Sequence, residues 1–195
     1  MTSTRDRLVD AAAALLDGGG PAAVTLRDVG KAAGVSHNAP YRHFADKHAL
    51  LAAIAARELA WQAANLAAGL ATGDVREMMR GYVRWALRYP ERFRLTFGRW
   101  ERDDADLGTA ARSARGGLRQ AVAAAQARGE LPAGDPERLA ALLLALAHGA
   151  ADQALAGHLS ATGKGAVDAE DLVDDLFAYL AVVAGVGASR ADERS

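Results

Sequence analysis

The chain has 195 residues, no cysteine and a formal net charge of −1. Disulfides, thiolate metal sites and cysteine nucleophiles are therefore excluded, and no global basic field marks it for nucleic acid. Hydrophobic residues make up 51% and aromatics 6%, an alanine-rich balance that favours helices over strands.

The length allows one domain or two small ones with a packed core. The opening "MTSTRDRLVD" lacks the apolar run of a signal peptide. The longest apolar stretch, about Leu139 to Leu159, is broken by His148, Asp152 and Gln153 and is no membrane span. The expectation is a soluble cytoplasmic protein with no membrane partner.

Leu8, Val9, Ala12, Leu15 and Leu16 recur at helical spacing, and "DGGGP" ends that first helix. Thr25 with Asp28 three residues on reads as a capping box for a second helix. Leu26, Val29 and Ala33 form its inner face and Gly34 its stop. Ser36 is the expected cap of a short third helix reaching about Phe44. Asp46 is the expected cap of a long fourth, with Leu50, Ile54, Glu58 and Trp61 along one stripe. Pro40 falls inside the third helix. With Ser36 as cap, only the first intrahelical bond is lost; with a start at Asn38, the ring lies in the tolerated first turn.

The remaining chain has no strand signal and no internal repeat. Met78, Met79, Tyr82, Val83, Ala86 and Tyr89 mark a fifth helix ended by Pro90; Phe93, Phe97 and Trp100 mark a short sixth. "DDADLGTAARSARGGLRQAVAAAQARGE" reads as a seventh with a kink expected at Gly116-Gly117. After "LPAGDP" comes an eighth, apolar nearly all round and so buried on several sides. "SATGKGAV" is a loop, and "DAEDLVDDLFAYLAVVAGV" is the last helix, its acidic first turn suited to the helix dipole. The expected fold is all-α with about nine helices: a three-helix head over residues 1–50, then a helical body over 51–187, joined by the long fourth helix. Residues 188–195 are an expected disordered tail.

The second and third helices around Gly34-Val35-Ser36 fit a helix-turn-helix, in which the second helix lies in the major groove and the first crosses the backbone. His37 and Asn38 would meet base edges, while Thr25, Tyr41, His43 and Lys47 offer phosphate donors. The same spacing also fits a packed helical corner. Residues 1–70 hold seven Lys/Arg against six Asp/Glu, so any DNA contact rests on a local cluster.

The stretch "TLRDVGKAAGVSHNAPYRHFADKHALL" closely resembles the DNA-binding domain of TetR/AcrR-family transcriptional repressors. Ala33, Gly34, Val35, Ser36, Tyr41, His43, Phe44, Lys47, Leu50 and Leu51 meet that family's pattern, and the likeness covers roughly residues 5–55. It implies a DNA-binding set of Thr25, Arg27, Ser36, His37, Asn38, Ala39, Tyr41, Arg42, His43 and Lys47. It also implies a homodimer on a palindromic DNA operator, released by a small-molecule effector. "YVRWALRYPERFRLTFG" with the later "AHG" resembles one regulatory branch marked by Trp-His-Gly, with Ala147 in place of the tryptophan.

In that family the last two helices, here about Pro136 to Gly157 and Asp168 to Gly185, pair with their copies. Leu139, Leu143, Leu146, Leu172, Leu176 and Leu180 are the expected dimer contacts; the same leucines could instead be intrachain core. Trp85, Tyr89, Phe93, Phe97 and Trp100 concentrate the body's aromatics and, with His148, are candidates for lining an apolar effector pocket or for core. No histidine and carboxylate spacing suits a metal, and no nucleophile-and-base pair suits catalysis. The expectation is a regulator without catalytic residues, metal or cofactor. A helix-turn-helix enzyme such as a recombinase, an activator, and a helical small-molecule binder that does not read DNA are the competing classes.

Overall fold

The computed structural model describes residues 3–72, 74–159 and 167–192. Among them are nine α-helices and no strand: α1 (Thr4–Ala23), α2 (Leu26–Ala32), α3 (Ala39–His43), α4 (Lys47–Thr72), α5 (Val75–Arg88), α6 (Pro90–Thr96), α7 (Ala105–Ala127), α8 (Pro136–Leu155) and α9 (Ala169–Asp192). The all-α expectation is met. The helices form two compact units, Met1–Trp61 with Tyr89–Ser113, and Gln62–Arg88 with Ala114–Ser195.

In the first unit α1 begins with a capping box, in which Ser3 Oγ accepts from the Asp6 amide. Its regular turn breaks at Gly19 and Gly20, the latter at φ +64°, as the glycine run predicts. Leu8, Val9, Leu16, Val24, Val29, Phe44, Leu50 and Ile54 form one apolar core shared by α1, α2 and α4. α6 belongs to this unit as well, and ionic contacts explain why. Arg92 donates to both oxygens of Asp17 on α1 at 2.6 and 2.9 Å, and to Glu58 Oε1 on α4 at 3.1 Å. Glu58, expected on the apolar stripe of α4, is indeed buried and pairs with Arg92. Trp61, on the same stripe, is half exposed.

In the second unit α5 packs on α8 and α9, and α8 packs on α9. Val75, Met79, Tyr82, Val83, Trp85 and Ala86 make the buried face of α5, and Ala140, Leu143, Ala147, Ala150 and Ala151 that of α8. Small residues on α8 let helices approach closely. A row of ion pairs closes the rim: Arg80 with Asp174 and Glu170, and Arg84 with Glu170 and Glu77.

Two expectations meet a different helix course, and a third falls on residues that are not described. α7 runs through Gly116 and Gly117 without a break; a Cβ on Gly117 would stand 3.5 Å from Leu66, an ordinary packing distance. α9 continues to Asp192, into the segment expected as a tail, while residues 193–195 lie outside the described residues. The loop expected at 160–167 also lies outside them apart from Val167.

Candidate nucleic-acid interface

The turn between α2 and α3 is built by backbone bonds. The Gly34 amide donates to Lys31 O and the Val35 amide to Gly30 O, with Gly34 at φ +63°, so the C-terminal carbonyls of α2 are satisfied by a Schellman closure. Arg7 on α1 adds a side-chain clamp, its Nη2 donating to Ala33 O at 2.7 Å. At the other end of α2, Thr25 accepts from the Asp28 amide at 3.1 Å and donates to Asp28 Oδ2 at 2.6 Å. Thr25 caps α2 as predicted, but Asp28 takes the Thr25 hydroxyl proton rather than the Thr25 amide that a full capping box uses. The cost is that the Thr25 proton is engaged, so a phosphate contact from that hydroxyl requires a change of partner.

α3 starts later than Ser36 predicts. Its N-cap is Asn38, without a side-chain cap bond, and Ala39 is its first residue. Ser36 contributes only its carbonyl, which accepts from the Ala39 amide at 3.0 Å. Pro40 therefore sits in the first turn, where its missing N–H costs nothing. Its ring is fully buried, and a Cβ on Gly30 would lie 2.8 Å from its Cγ. Pro40 is a core residue that seats α3 on α2, and Gly30 is the hole it fills.

This seating leaves the polar residues outward. Thr25, Arg27, Ser36, His37, Asn38, Tyr41, Arg42, His43 and Lys47 are all exposed, and Ala39 is half-buried. The His37 and Tyr41 rings lie 5.9 Å apart at the start of α3. Asp46 caps α4 as expected, Oδ1 accepting from the Ala49 amide at 2.8 Å. Bases can be met at the N-terminal end of α3, with cations at Arg27, Arg42 and Lys47 around it.

Two family models match the chain: "Bacterial regulatory proteins, tetR family" over residues 8–54, and "Tetracyclin repressor-like, C-terminal domain" over residues 75–180. The chain belongs to the TetR family. It is a DNA-binding transcriptional regulator, and members of its family bind operators as homodimers and respond to small molecules. A solved structure of a protein of unknown function from Rhodococcus sp. RHA1 is 28% identical, covers 93% of this chain and 95% of that one, and has a TM-score of 0.76. SmeT, the repressor of the Stenotrophomonas maltophilia multidrug efflux pump SmeDEF, is 29% identical over 79% of each chain with a TM-score of 0.57. The SmeT–triclosan complex is 28% identical, covers 78% of this chain and 80% of that one, and has a TM-score of 0.58. No curated protein matches the sequence.

The candidate effector residues do not fall in one unit of this TetR-family chain. Trp85 and His148 belong to the second unit, and Tyr89, Phe93, Phe97 and Trp100 to the first. In the second, the Tyr82 hydroxyl and His148 Nδ1 lie 2.9 Å apart in hydrogen-bond contact, and the Tyr82 and Trp85 ring centroids are 6.1 Å apart. Burial pushes the Tyr82 phenol well above its ordinary range and the His148 imidazole below its own, the latter partly offset by Asp152. Both groups are neutral near pH 7. In the first unit Phe93 is buried against Phe97, and Trp100 meets His48 edge-on at 5.3 Å.

Of the expected dimer leucines, Leu143 is 1% exposed within a single chain. It is core and offers no surface to a partner. Leu139, Leu146, Leu172, Leu176 and Leu180 are half-buried. The exposed hydrocarbon lies beside them: Leu142 at 66%, Tyr179 at 71%, Val182 at 67% and Val183 at 56%. Leu139, Leu142 and Leu146 follow a 3-4 spacing on α8, and Leu172, Leu176, Tyr179 and Val183 a 4-3-4 spacing on α9, the seam of paired helices. Tyr179 and Val182 are not among the expected contacts; a count of leucines passes over them, although the α9 spacing points to Tyr179.

Among the described residues, no helix is long and apolar enough to cross a membrane.

Proposed function

We propose that this TetR-family regulator is a homodimeric, cytoplasmic repressor that reads an operator with the N-terminal end of α3 and leaves it on binding a small, mainly apolar effector. The observation that carries the reading is the exposed set Ser36, His37, Asn38, Tyr41 and Lys47 on a helix-turn-helix whose inner face is fixed by Pro40 and Gly30. The exposed stripe Leu142, Tyr179, Val182 and Val183 supports a second copy as partner, because two half-sites bound together multiply a weak single contact. Regulation rather than catalysis is the role that this arrangement serves.

For the effector, the second unit supplies a neutral hydrogen-bonding pair, Tyr82 and His148, beside the buried Trp85. A polar pair beside an aromatic ring suits an aromatic or apolar molecule carrying one polar group. SmeT is bound by triclosan, which makes triclosan a sensible first probe.

The test is a gel shift on the duplex flanking its own gene across a salt series, with and without triclosan. Specific binding should weaken as salt rises, and Lys47→Ala should reduce the salt slope by about one unit. Asn38→Ala should relax preference at one base pair per half-site by about 1–3 kcal/mol. No salt-dependent complex with that duplex would remove the operator reading. A complex that raises transcription of the adjacent gene would make the protein an activator.

A further inference from the structure

The segment between α6 and α7 reaches the DNA-facing end of α4 within the first unit. Arg102 Nη2 donates to Asp46 Oδ2 at 2.9 Å, while the other oxygen of Asp46 caps α4. Two residues before Arg102, the Trp100 indole meets His48 edge-on. The segment thus brackets Lys47, the cation expected to hold a phosphate. Asp46 and Arg102 retain 44% and 60% of their side-chain exposure, and a pair so open to water adds little stability. What the pair changes is local charge.

We propose that Arg102 is a positioning residue for DNA binding, whose guanidinium cancels the Asp46 carboxylate so that the end of α4 can approach a phosphate. This rests on the DNA-binding reading above. The carboxylate has a reason to exist: an acceptor at the N-cap satisfies an α4 amide and suits the helix dipole. The same charge beside Lys47 would oppose the phosphate that Lys47 attracts. Supplying a cation from another segment keeps the cap and removes the repulsion. The hydrogen bonds from Ala49 and Arg102 hold the Asp46 carboxyl below its ordinary range, so it stays ionised throughout the working range.

Charge arithmetic gives signed outcomes for the full-length homodimer on two probes, the duplex flanking its own gene and a short random-sequence duplex at low salt. Arg102→Ala leaves Asp46 uncancelled and should weaken both complexes by about three- to tenfold. Asp46→Asn keeps a good N-cap, frees Arg102, and should tighten both by a similar factor with a steeper salt slope. The double variant restores the local charge balance and should bind near wild type with the wild-type slope. All three should melt close to wild type. If the double variant is as weak as Arg102→Ala, Arg102 itself holds a phosphate and the proposal is wrong. It is equally wrong if Asp46→Asn fails to tighten binding. If the wild type binds neither duplex, the DNA-binding reading has failed before this one is reached.

Discussion

The two units differ in what they leave on their surfaces. The first exposes cations and hydrogen-bonding side chains around α3, with Arg27, Arg42 and Lys47 outward and most of its aliphatic residues gathered inside. The second exposes hydrocarbon, with Leu142, Tyr179, Val182 and Val183 each more than half accessible. A surface of the first kind suits an anionic polymer, since cations release counterions from it and polar groups reach its bases. One of the second kind suits another apolar surface, such as that of a second copy. Each unit therefore shows its partner's chemistry in the residues that its own core does not claim.

The sharpest way to break that contrast is to exchange neighbours on α8. Leu142→Glu puts a carboxylate on the exposed seam. The dimer should dissociate in sedimentation, and operator affinity should fall by about 100-fold or more because the second half-site contact is lost. Leu143→Ala, one residue on, empties a fully buried position and should cost about 3 kcal/mol in denaturant unfolding. Dimerisation per folded chain should survive it. The reverse pattern would mean that α8 is turned the other way in solution.

A smaller effect tests the head. Gly30→Ala places a methyl against the Pro40 ring, and overpacking of this kind costs about 1–3 kcal/mol. If α3 is displaced by that methyl, operator binding should fall more than melting alone accounts for. Pro40→Ala should partly rescue Gly30→Ala by opening the space. Independent, additive losses from the two would argue against the contact.

Much of this was legible in the sequence where chemistry is local. The glycine run breaking α1, the Thr25–Asp28 and Asp46 caps and the Gly34 stop follow from residue types at short spacing, because a cap or left-handed turn needs only its neighbours. Ser36 misled for the same reason: its type suits a cap, but Pro40 packing on Gly30 sets where α3 starts. That contact spans ten positions and leaves only an interior helical glycine as its trace. Arg92 pairing with Asp17 across 75 positions left no trace at all. The expected dimer set mixed core and surface because leucines at helical spacing fit either face. Only the neighbours packed on α8 decide between Leu142 and Leu143.

The smallest expected effect lies in the second unit and concerns pH. His148 is half-buried with its Nδ1 on the Tyr82 hydroxyl, and burial holds its pKa below 6.5, Asp152 opposing this from one turn on. The unfolded chain has no such burial and titrates near 6.5. Between the folded and unfolded values the unfolded chain therefore binds more protons, so stability falls as pH drops below 6.5 and is fully restored above it. His148→Gln cannot take up that proton. Its unfolding free energy should lose this part of the acid slope while starting lower at neutral pH, because the Tyr82 bond is altered. Denaturant unfolding of both proteins on either side of pH 6.5 reads the difference directly. An acid slope unchanged by His148→Gln would assign it to other groups and place the imidazole in water, leaving Tyr82 as the remaining polar anchor for an effector.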